Sequence, residues 1–205
     1  MEFVYVVKRF DLFEMAFPHG FRRPWEVPLD DYLGRIRSRG FFVERRHAET
    51  DSTMKQIIPY CVILREGPAA AAPEIFTMRR KETGGESRLF NLHSIGVGGH
   101  INPVDGDADP LLVGLTREIE EEVIIDEPMR PEPLGVINDE TQAVGSVHFG
   151  LVYGLRVEGD VRVRETEQLE GHWTPTATLT EMLSTDRDAF ESWSALILDR
   201  VDDIS

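Results

Sequence analysis

Two patterns of apolar and polar residues run along the chain, one typical of strands and one typical of helices. Strands are predicted where β-branched and aromatic residues cluster or alternate with polar ones, at residues 2–8, 41–45, 56–64, 74–80, 94–99, 135–138, 146–157 and 161–164. Helices are predicted at residues 29–39, 111–125 and 186–201, and a capping box of Thr178 and Glu181 adds a short helix before the last of these. Many strands with one central helix and more helix at the end indicate the α+β class, with α/β/α layers around a mixed sheet.

The predicted helix at 111–125 carries a dense cluster of acidic residues. Asp109 is a good N-cap and Pro110 suits the first helical position, so the start of the helix is well marked. Three acids are spaced three and four residues apart, which gathers their carboxylates on one face: Glu118, Glu121 and Glu122. The other face is apolar and holds Leu112, Leu115, Ile119 and Val123.

Carboxylates this close on one helix face destabilise the helix by roughly a few tenths of a kcal/mol per pair. A hard divalent cation such as Mg²⁺, which takes oxygen ligands, reverses that penalty. A solvated acidic face is the commoner reason for such a run in proteins generally. Here the helix follows the pair Gly98-Gly99 at the end of a β-like segment, and Arg117 directly precedes Glu118, which favours the cation hypothesis.

The segment from Gly99 to Ile125 resembles the signature of the Nudix hydrolase family, G-x5-E-x7-R-E-u-x-E-E-x-G-u with u aliphatic. Five residues fall on the family's R, E, u, E and E: Arg117, Glu118, Ile119, Glu121 and Glu122. The sequence departs from the pattern at Ile124, where the family usually has glycine, and in a longer loop between Gly99 and Arg117. The family's loop glutamate has no clean counterpart, since its place falls on Asp109.

The resemblance implies a Nudix-like α/β/α sandwich and a metal-dependent phosphoanhydride hydrolase. Its substrate would be a nucleoside diphosphate linked to another group. Mg²⁺ or Mn²⁺ would be held by three residues that also serve catalysis: Glu118, Glu121 and Glu122. Substrate contacts are expected from Gly98, Gly99 and Arg117.

A further catalytic acid is expected from a loop before a tryptophan-containing strand, by analogy with the family. Three glutamates precede Trp173, namely Glu165, Glu167 and Glu170, and of these we favour Glu167. A solvated loop acid is the alternative for each of them.

Two other functions compete with this interpretation. The first is a catalytically silent module of the same fold that binds a nucleotide or an ADP-ribose-like ligand, an alternative that the altered loop and Ile124 keep open. The second is an isomerase of the isoprenoid diphosphate type, which would need a reactive cysteine. Cys61, in an apolar run, is a weak candidate for that role.

Composition narrows the classes of partner and compartment. The 205 residues hold 22 Lys and Arg against 37 Asp and Glu, a net charge of −15, which disfavours nucleic acid as a ligand. A single cysteine and the absence of any long apolar run lead us to expect a cytoplasmic protein without a membrane anchor. We expect an N-terminal extension at residues 1–50 packed on a Nudix domain at 51–205. A homodimer is compatible with this sequence, although no pattern in it specifies one.

Overall fold

The computed structural model describes residues 1–13, 17–67, 73–81, 91–103 and 109–204. The strands within these residues are β1 (Phe3–Lys8), β2 (Gly20–Arg22), β3 (Phe41–Glu44), β4 (Met54–Arg65), β5 (Glu74–Arg80), β6 (His93–Ser94), β7 (Val97–Gly98), β8 (Val123–Ile125), β9 (Glu132–Asn138), β10 (His148–Arg156), β11 (Val161–Val163) and β12 (Leu169–Pro175). The helices are α1 (Arg9–Leu12), α2 (Leu29–Arg39), α3 (Arg45–Ala48), α4 (Pro110–Glu122), α5 (Ala143–Val147), α6 (Thr176–Thr185) and α7 (Ser192–Leu198). The α+β class is therefore confirmed.

The chain divides into two compact units, each made of three segments. The first comprises Met1–Tyr60, Gly98–Arg117 and Pro133–Val152, and the second comprises Cys61–Val97, Glu118–Glu132 and Tyr153–Ser205. The proposed extension at residues 1–50 stays a prediction, and in the structure this segment contributes three strands to the first unit.

In the first unit the strands follow the order β4-β10-β9-β2, with β1 pairing both β3 and β4. The pairing of β1 with β3 is antiparallel and matches Val4 with Val43, while β1 meets β4 through Val6 and Gln56. These β-branched residues favour the extended backbone, and alternate residues of β1 face a small apolar cluster. That cluster consists of Val4, Val6 and Ala48, covered by Phe41, Val43 and Met54.

In the second unit β12 pairs antiparallel with β5, and β5 pairs with β4 and β6. Trp173 of β12 lies opposite Phe76 of β5, and their rings meet edge to face at 5.4 Å. A separate two-stranded sheet joins β8 and β11, with Ile124 opposite Arg162. Helix α7 is anchored by Ser194, whose hydroxyl oxygen accepts the Ile95 N–H at 3.0 Å.

Helix α2 has the bounds that the sequence predicts. Leu29, Tyr32 and Ile36 recur at helical spacing and are buried. Acidic residues occupy its first turn and basic residues its last, as the helix dipole favours. Strand β5 also coincides with its prediction at 74–80.

The predicted helix at 111–125 runs three residues past the observed end. It ends at Glu122, and Val123–Ile125 instead form β8. The backbone N–H of Arg164 donates to the Glu122 carbonyl at 2.8 Å, and the Arg164 side chain donates to the Glu120 carbonyl at 2.7 Å. These donors satisfy the carbonyls that a helix end leaves open, which explains why α4 stops there.

The predicted closing helix at 186–201 is also wrong in its bounds. Only Ser192–Leu198 is α-helical, with 3₁₀ turns at Arg187–Ala189 and Val201–Asp203 on either side. The break falls at Phe190, which forms a parallel bridge with His93. The Thr178 capping box is not formed either, since α6 begins two residues earlier, at Thr176.

The start of β10 differs slightly from its prediction, because Ser146 belongs to α5.

In the part of the chain that the structure describes, no helix combines the length and apolarity needed to cross a bilayer.

Candidate active site

The end of α4 presents the three acids of the signature with unequal exposure. Glu118 and Glu122 are half-buried, whereas Glu121 is exposed. The Glu122 side chain is only 24% exposed, and its Oε1 lies 3.6 Å from Nη2 of Arg80 at the end of β5. The opposite side of the helix is buried and includes Leu111, Leu115 and Ile119. The prediction that Leu112 belongs to this apolar face is wrong, since its side chain is 45% exposed.

The start of α4 agrees with the sequence. The Asp109 carboxylate accepts the Leu111 N–H at 3.1 Å, which confirms Asp109 as the N-cap. The same carboxylate accepts two hydrogen bonds from Arg37, at 2.7 and 3.1 Å. The preceding loop includes residues 104–108, which lie outside the described residues, so the longer loop of the signature is seen only in part.

The pKa of the Glu122 carboxyl is strongly shifted by its surroundings. Burial is the main cause that raises the pKa of this carboxyl; Glu118, Glu191 and Glu165 act in the same direction, Arg80 opposes them, and the resulting pKa is about 7. Among the charged groups that act most strongly on Glu122, three are carboxylates and one is an arginine. An additional positive charge at this point would stabilise the ionised form of Glu122.

The three predicted ligands do not form a ready-made metal site. Among the described residues, no group of three or more His, Cys, Asp or Glu side chains is arranged so that it could hold an ion. Glu118 and Glu122 influence each other directly, and Glu121 lies on the exposed side of the same turn. Their carboxylate oxygens are nevertheless the donors that Mg²⁺ and Mn²⁺ prefer, and the excess of negative charge around Glu122 fits such an ion.

The glycine segment before the long loop is held by close backbone contacts. A β-carbon on Gly98 would lie 2.7 Å from the Pro59 carbonyl oxygen, so only glycine fits there. Arg117, which we expected to contact substrate, donates from Nη2 to the His100 carbonyl at 2.6 Å. In the structure Arg117 therefore positions the segment that contains Gly98 and Gly99.

The loop acids before Trp173 are all exposed. Glu165 contributes to the raised pKa of Glu122, and its carbonyl accepts the N–H groups of Gln168 and Leu169 at 3.0 and 2.9 Å. Glu167, our favoured catalytic acid, is an exposed residue of the same loop. Its catalytic role stays a prediction.

The sequence offers Arg80 as one of several arginines that could meet phosphate, but it places neither Arg80 nor Glu191 beside Glu122. Arg80 reaches the site because β5 ends beside the last turn of α4. The backbone of Glu191 is held near this site by its N–H, which donates to the His93 carbonyl at 3.0 Å. Both placements depend on tertiary pairing, and no local pattern in the sequence signals either of them.

Cys61 lies in the middle of β4 and is fully buried. Burial raises the pKa of its thiol well above the ordinary value, so the thiolate is not formed at neutral pH. This environment is unsuited to a reactive cysteine and disfavours the isomerase hypothesis.

Comparisons with known proteins agree with the signature. No protein-family model matches the chain. Protein YmaB of Bacillus subtilis (strain 168) is 36% identical over 176 residues, which cover 82% of each protein. The crystal structure of Tm1382, described as a candidate Nudix hydrolase, matches over 100% of both chains with 32% identity and a TM-score of 0.77.

A more distant structure shares the fold alone. The crystal structure of DR0079 from Deinococcus radiodurans is 16% identical, covers 78% of this chain and 90% of its own, and has a TM-score of 0.54. The mixed sheet with helices seen here is thus the fold of Tm1382. Because that similarity extends over the full length at more than 30% identity, and the Arg117–Glu122 pattern agrees with it, this chain belongs to the Nudix family.

Proposed function

We propose that this protein is a divalent-metal-dependent hydrolase that cleaves the pyrophosphate bond of a nucleoside diphosphate linked to another group. The Nudix fold supports a pyrophosphate hydrolase in general. The observation that carries the finer proposal is the crowding of carboxylates around Glu122, where burial and three acidic neighbours leave the ionised form short of positive charge.

Glu118, Glu121 and Glu122 would hold Mg²⁺ or Mn²⁺ in this proposal. When bound, the ion would supply neutralisation of the diphosphate charge and a lowered pKa for a coordinated water. Glu121 is exposed and Glu118 half-buried, so these side chains can turn towards Glu122 without repacking the core.

Among the described residues, Arg80 is the cation that forms an ion pair with Glu122. Its Nη2 stands 3.6 Å from Glu122, beyond hydrogen-bonding distance, and its side chain is 34% exposed. An arginine held this loosely can donate to an oxygen of the diphosphate while it continues to offset Glu122. We assign it to substrate orientation.

The chemical step is hydrolysis of one P–O–P linkage. A water oxygen bonds to one phosphorus, the bridging oxygen leaves with its electron pair, and the water proton passes to a carboxylate base. The products are two phosphate compounds, at least one of them a monoester. Glu167 is our predicted base, and Glu165 is the alternative that its electrostatic effect on Glu122 supports.

A silent binding module remains the second candidate. The observation in its favour is that the described acids are not preassembled around one point. Such a module would bind a nucleotide or an ADP-ribose-like ligand with no turnover.

The experiment that separates the two is a screen of the purified protein against nucleoside triphosphates, dinucleoside polyphosphates, sugar nucleotides and dinucleotide cofactors, with Mg²⁺ or Mn²⁺. We expect phosphate-monoester products from at least one class, and a loss of orders of magnitude in rate for Glu121→Gln. Glu120→Gln is the matched control, because Glu120 is an exposed glutamate of the same turn outside the family pattern. Tight binding without turnover by the wild type would establish the silent module instead.

A further inference from the structure

Two histidines of the first unit face each other through the same ring nitrogen. Nε2 of His100 and Nε2 of His148 are 3.3 Å apart, with the ring centroids 5.4 Å apart and the planes inclined at 64°. Both side chains are half-buried, so they are shielded from bulk solvent and yet accessible. The proposed hydrolase function makes no use of either imidazole.

The tautomer of His148 is fixed by its backbone contact. Its Nδ1 lies 2.6 Å from the Val144 carbonyl oxygen, which can only accept a proton, so Nδ1 carries the hydrogen. In the neutral ring, Nε2 then presents a lone pair towards His100. A backbone carbonyl that holds Nδ1–H while Nε2 stays free is the arrangement commonly seen behind metal-ligating histidines.

Both rings are kept neutral by their surroundings. Burial, with the positive charge of Arg45 acting in the same direction, lowers the pKa of His100 to about 3. Burial likewise lowers the pKa of His148, with Lys55 and Arg45 acting in the same direction against the hydrogen bond to Val144. A neutral imidazole is the form that binds a metal ion.

The separation of the two nitrogens matches a pair of metal ligands. Two nitrogens bound at 2.0 to 2.1 Å to a tetrahedral ion are about 3.3 to 3.4 Å apart. The observed 3.3 Å lies at that value. We infer that His100 and His148 form a binding site for a divalent transition-metal ion such as Zn²⁺, Ni²⁺ or Co²⁺, coordinated through both Nε2 atoms.

The charges around the pair are balanced well enough for a cation to enter. Arg45, Arg117 and Lys55 would repel it, but Arg45 is paired with Glu2 at 3.1 Å and with Glu49 at 2.8 Å, and Lys55 is paired with Glu140 at 2.7 Å. In the metal-free protein a proton on Nε2 of His100 is donated to His148. On metal binding that proton moves to Nδ1 of His100, so no net proton is released.

The site is an open one. Within the described part of the chain no third His, Cys, Asp or Glu completes it, so the remaining coordination positions belong to water or to a small external ligand. Imidazole nitrogen selects borderline transition metals over Mg²⁺, which requires oxygen. This inference is independent of the proposed hydrolase function.

The test is a calorimetric titration of the full chain with Zn²⁺ in the presence of saturating Mg²⁺, which occupies carboxylate sites. We expect His100→Ala and His148→Ala each to weaken Zn²⁺ binding at least about tenfold. His47→Ala, an exposed histidine on α3, and Glu121→Gln should bind Zn²⁺ as the wild type does.

X-ray absorption of the Zn²⁺-loaded wild type provides a measurement that needs no variant. Two imidazole ligands per ion are expected. Fewer than two imidazoles, or equal Zn²⁺ affinity in His100→Ala, His148→Ala and wild type, would show that the pair is only hydrogen-bonded and would overturn the inference. Loss of hydrolysis in Glu121→Gln with intact Zn²⁺ binding would support the two sites separately.

Discussion

The acidic end of α4 and the pair of His100 and His148 both hold titratable groups partly out of water, but the neighbours of each differ in charge and donor atom. Around Glu122 the neighbours are mainly carboxylates, which raise its pKa together with burial. Around His100 burial and arginine lower the pKa. Both sites therefore favour the neutral group, by opposite shifts in pKa.

Desolvation alone does not define a cation site, because the donor atoms and the neighbouring charges decide which ion fits. Crowded carboxylates call for a hard ion that brings positive charge, such as Mg²⁺. Neutral imidazoles offer nitrogen lone pairs without excess negative charge, which suits a transition-metal ion. One chain thus carries two candidate sites with different metal preferences.

The largest expected effect is that a variant at one site loses the function of that site and keeps the function of the other. Glu122→Gln should lower the Mg²⁺-dependent rate of hydrolysis by more than about 100-fold, since loss of a direct ligand exceeds the 10- to 100-fold loss typical of groups behind a ligand. The Zn²⁺ affinity of Glu122→Gln should be unchanged. His148→Ala should instead bind Zn²⁺ more weakly and keep the wild-type rate of hydrolysis. The measurements are steady-state kinetics and calorimetry on both variants. A variant that lowers both properties equally would remove the distinction between the sites.

The next effect concerns the residue that holds the histidine region together. Lys55 is fully buried, and its Nζ bonds to the carbonyls of Gly145 and His148 at 2.9 and 3.2 Å and to the Glu140 carboxylate at 2.7 Å. Lys55→Met should lower the free energy of unfolding by about 3 kcal/mol, because it leaves buried acceptors without a donor. Urea unfolding provides the measurement.

The matched control for that variant is Lys8→Met at an exposed lysine, which should change stability little. Zn²⁺ affinity should fall in Lys55→Met, because the backbone of His148 loses an anchor. Unchanged stability and unchanged Zn²⁺ affinity would contradict the role given to Lys55.

The gain in unfolding free energy on Mg²⁺ binding also distinguishes the two sites. At a Mg²⁺ concentration about 100 times its dissociation constant, the wild type should gain about 2.7 kcal/mol in unfolding free energy. Glu122→Gln should gain much less, while His148→Ala should gain as much as the wild type. Equal Mg²⁺ stabilisation in all three proteins would place the ion elsewhere.

The last prediction is a pair of opposite pH dependences of stability in the metal-free protein. His100, with a pKa of about 3 folded against 6.5 for the free group, contributes stability that is complete above pH 6.5 and lost as pH falls towards 3. Glu122, with a pKa of about 7 folded against 4.5, contributes stability that is complete below pH 4.5 and lost as pH rises through 7.

Urea unfolding from pH 4 to 8 in the presence of a chelator measures both contributions. His100→Asn should flatten the acidic side of the profile, and Glu122→Gln should flatten the neutral side. If His100→Asn steepened the acidic side, the neutral state assigned to this imidazole would be wrong.

The parts of the fold that follow local pattern could be predicted from the sequence. Helix α2 has its apolar stripe and its charged ends within eleven residues, and its bounds are as predicted. The N-cap at Asp109 is equally local. Such features depend on neighbours in the chain and need no tertiary partner.

The parts that were mispredicted depend on distant partners. Residues 123–125 continue the helical spacing of α4, yet they pair with β11, some forty residues later. The closing helix is broken at Phe190 by its bridge to His93. At the site, the signature indicates the three acids of α4, whereas the placement of Arg80 against Glu122 arises only from the folded arrangement.

The most direct test of the central claim is a crystal of the protein grown with Mn²⁺ and a non-hydrolysable diphosphate analogue, with anomalous scattering used to locate the metal. The claim predicts a manganese ion bound by the carboxylate of Glu122, with Glu118 or Glu121 turned towards it and the diphosphate completing its coordination. Anomalous density absent from the end of α4, with these side chains directed into solvent, would contradict it.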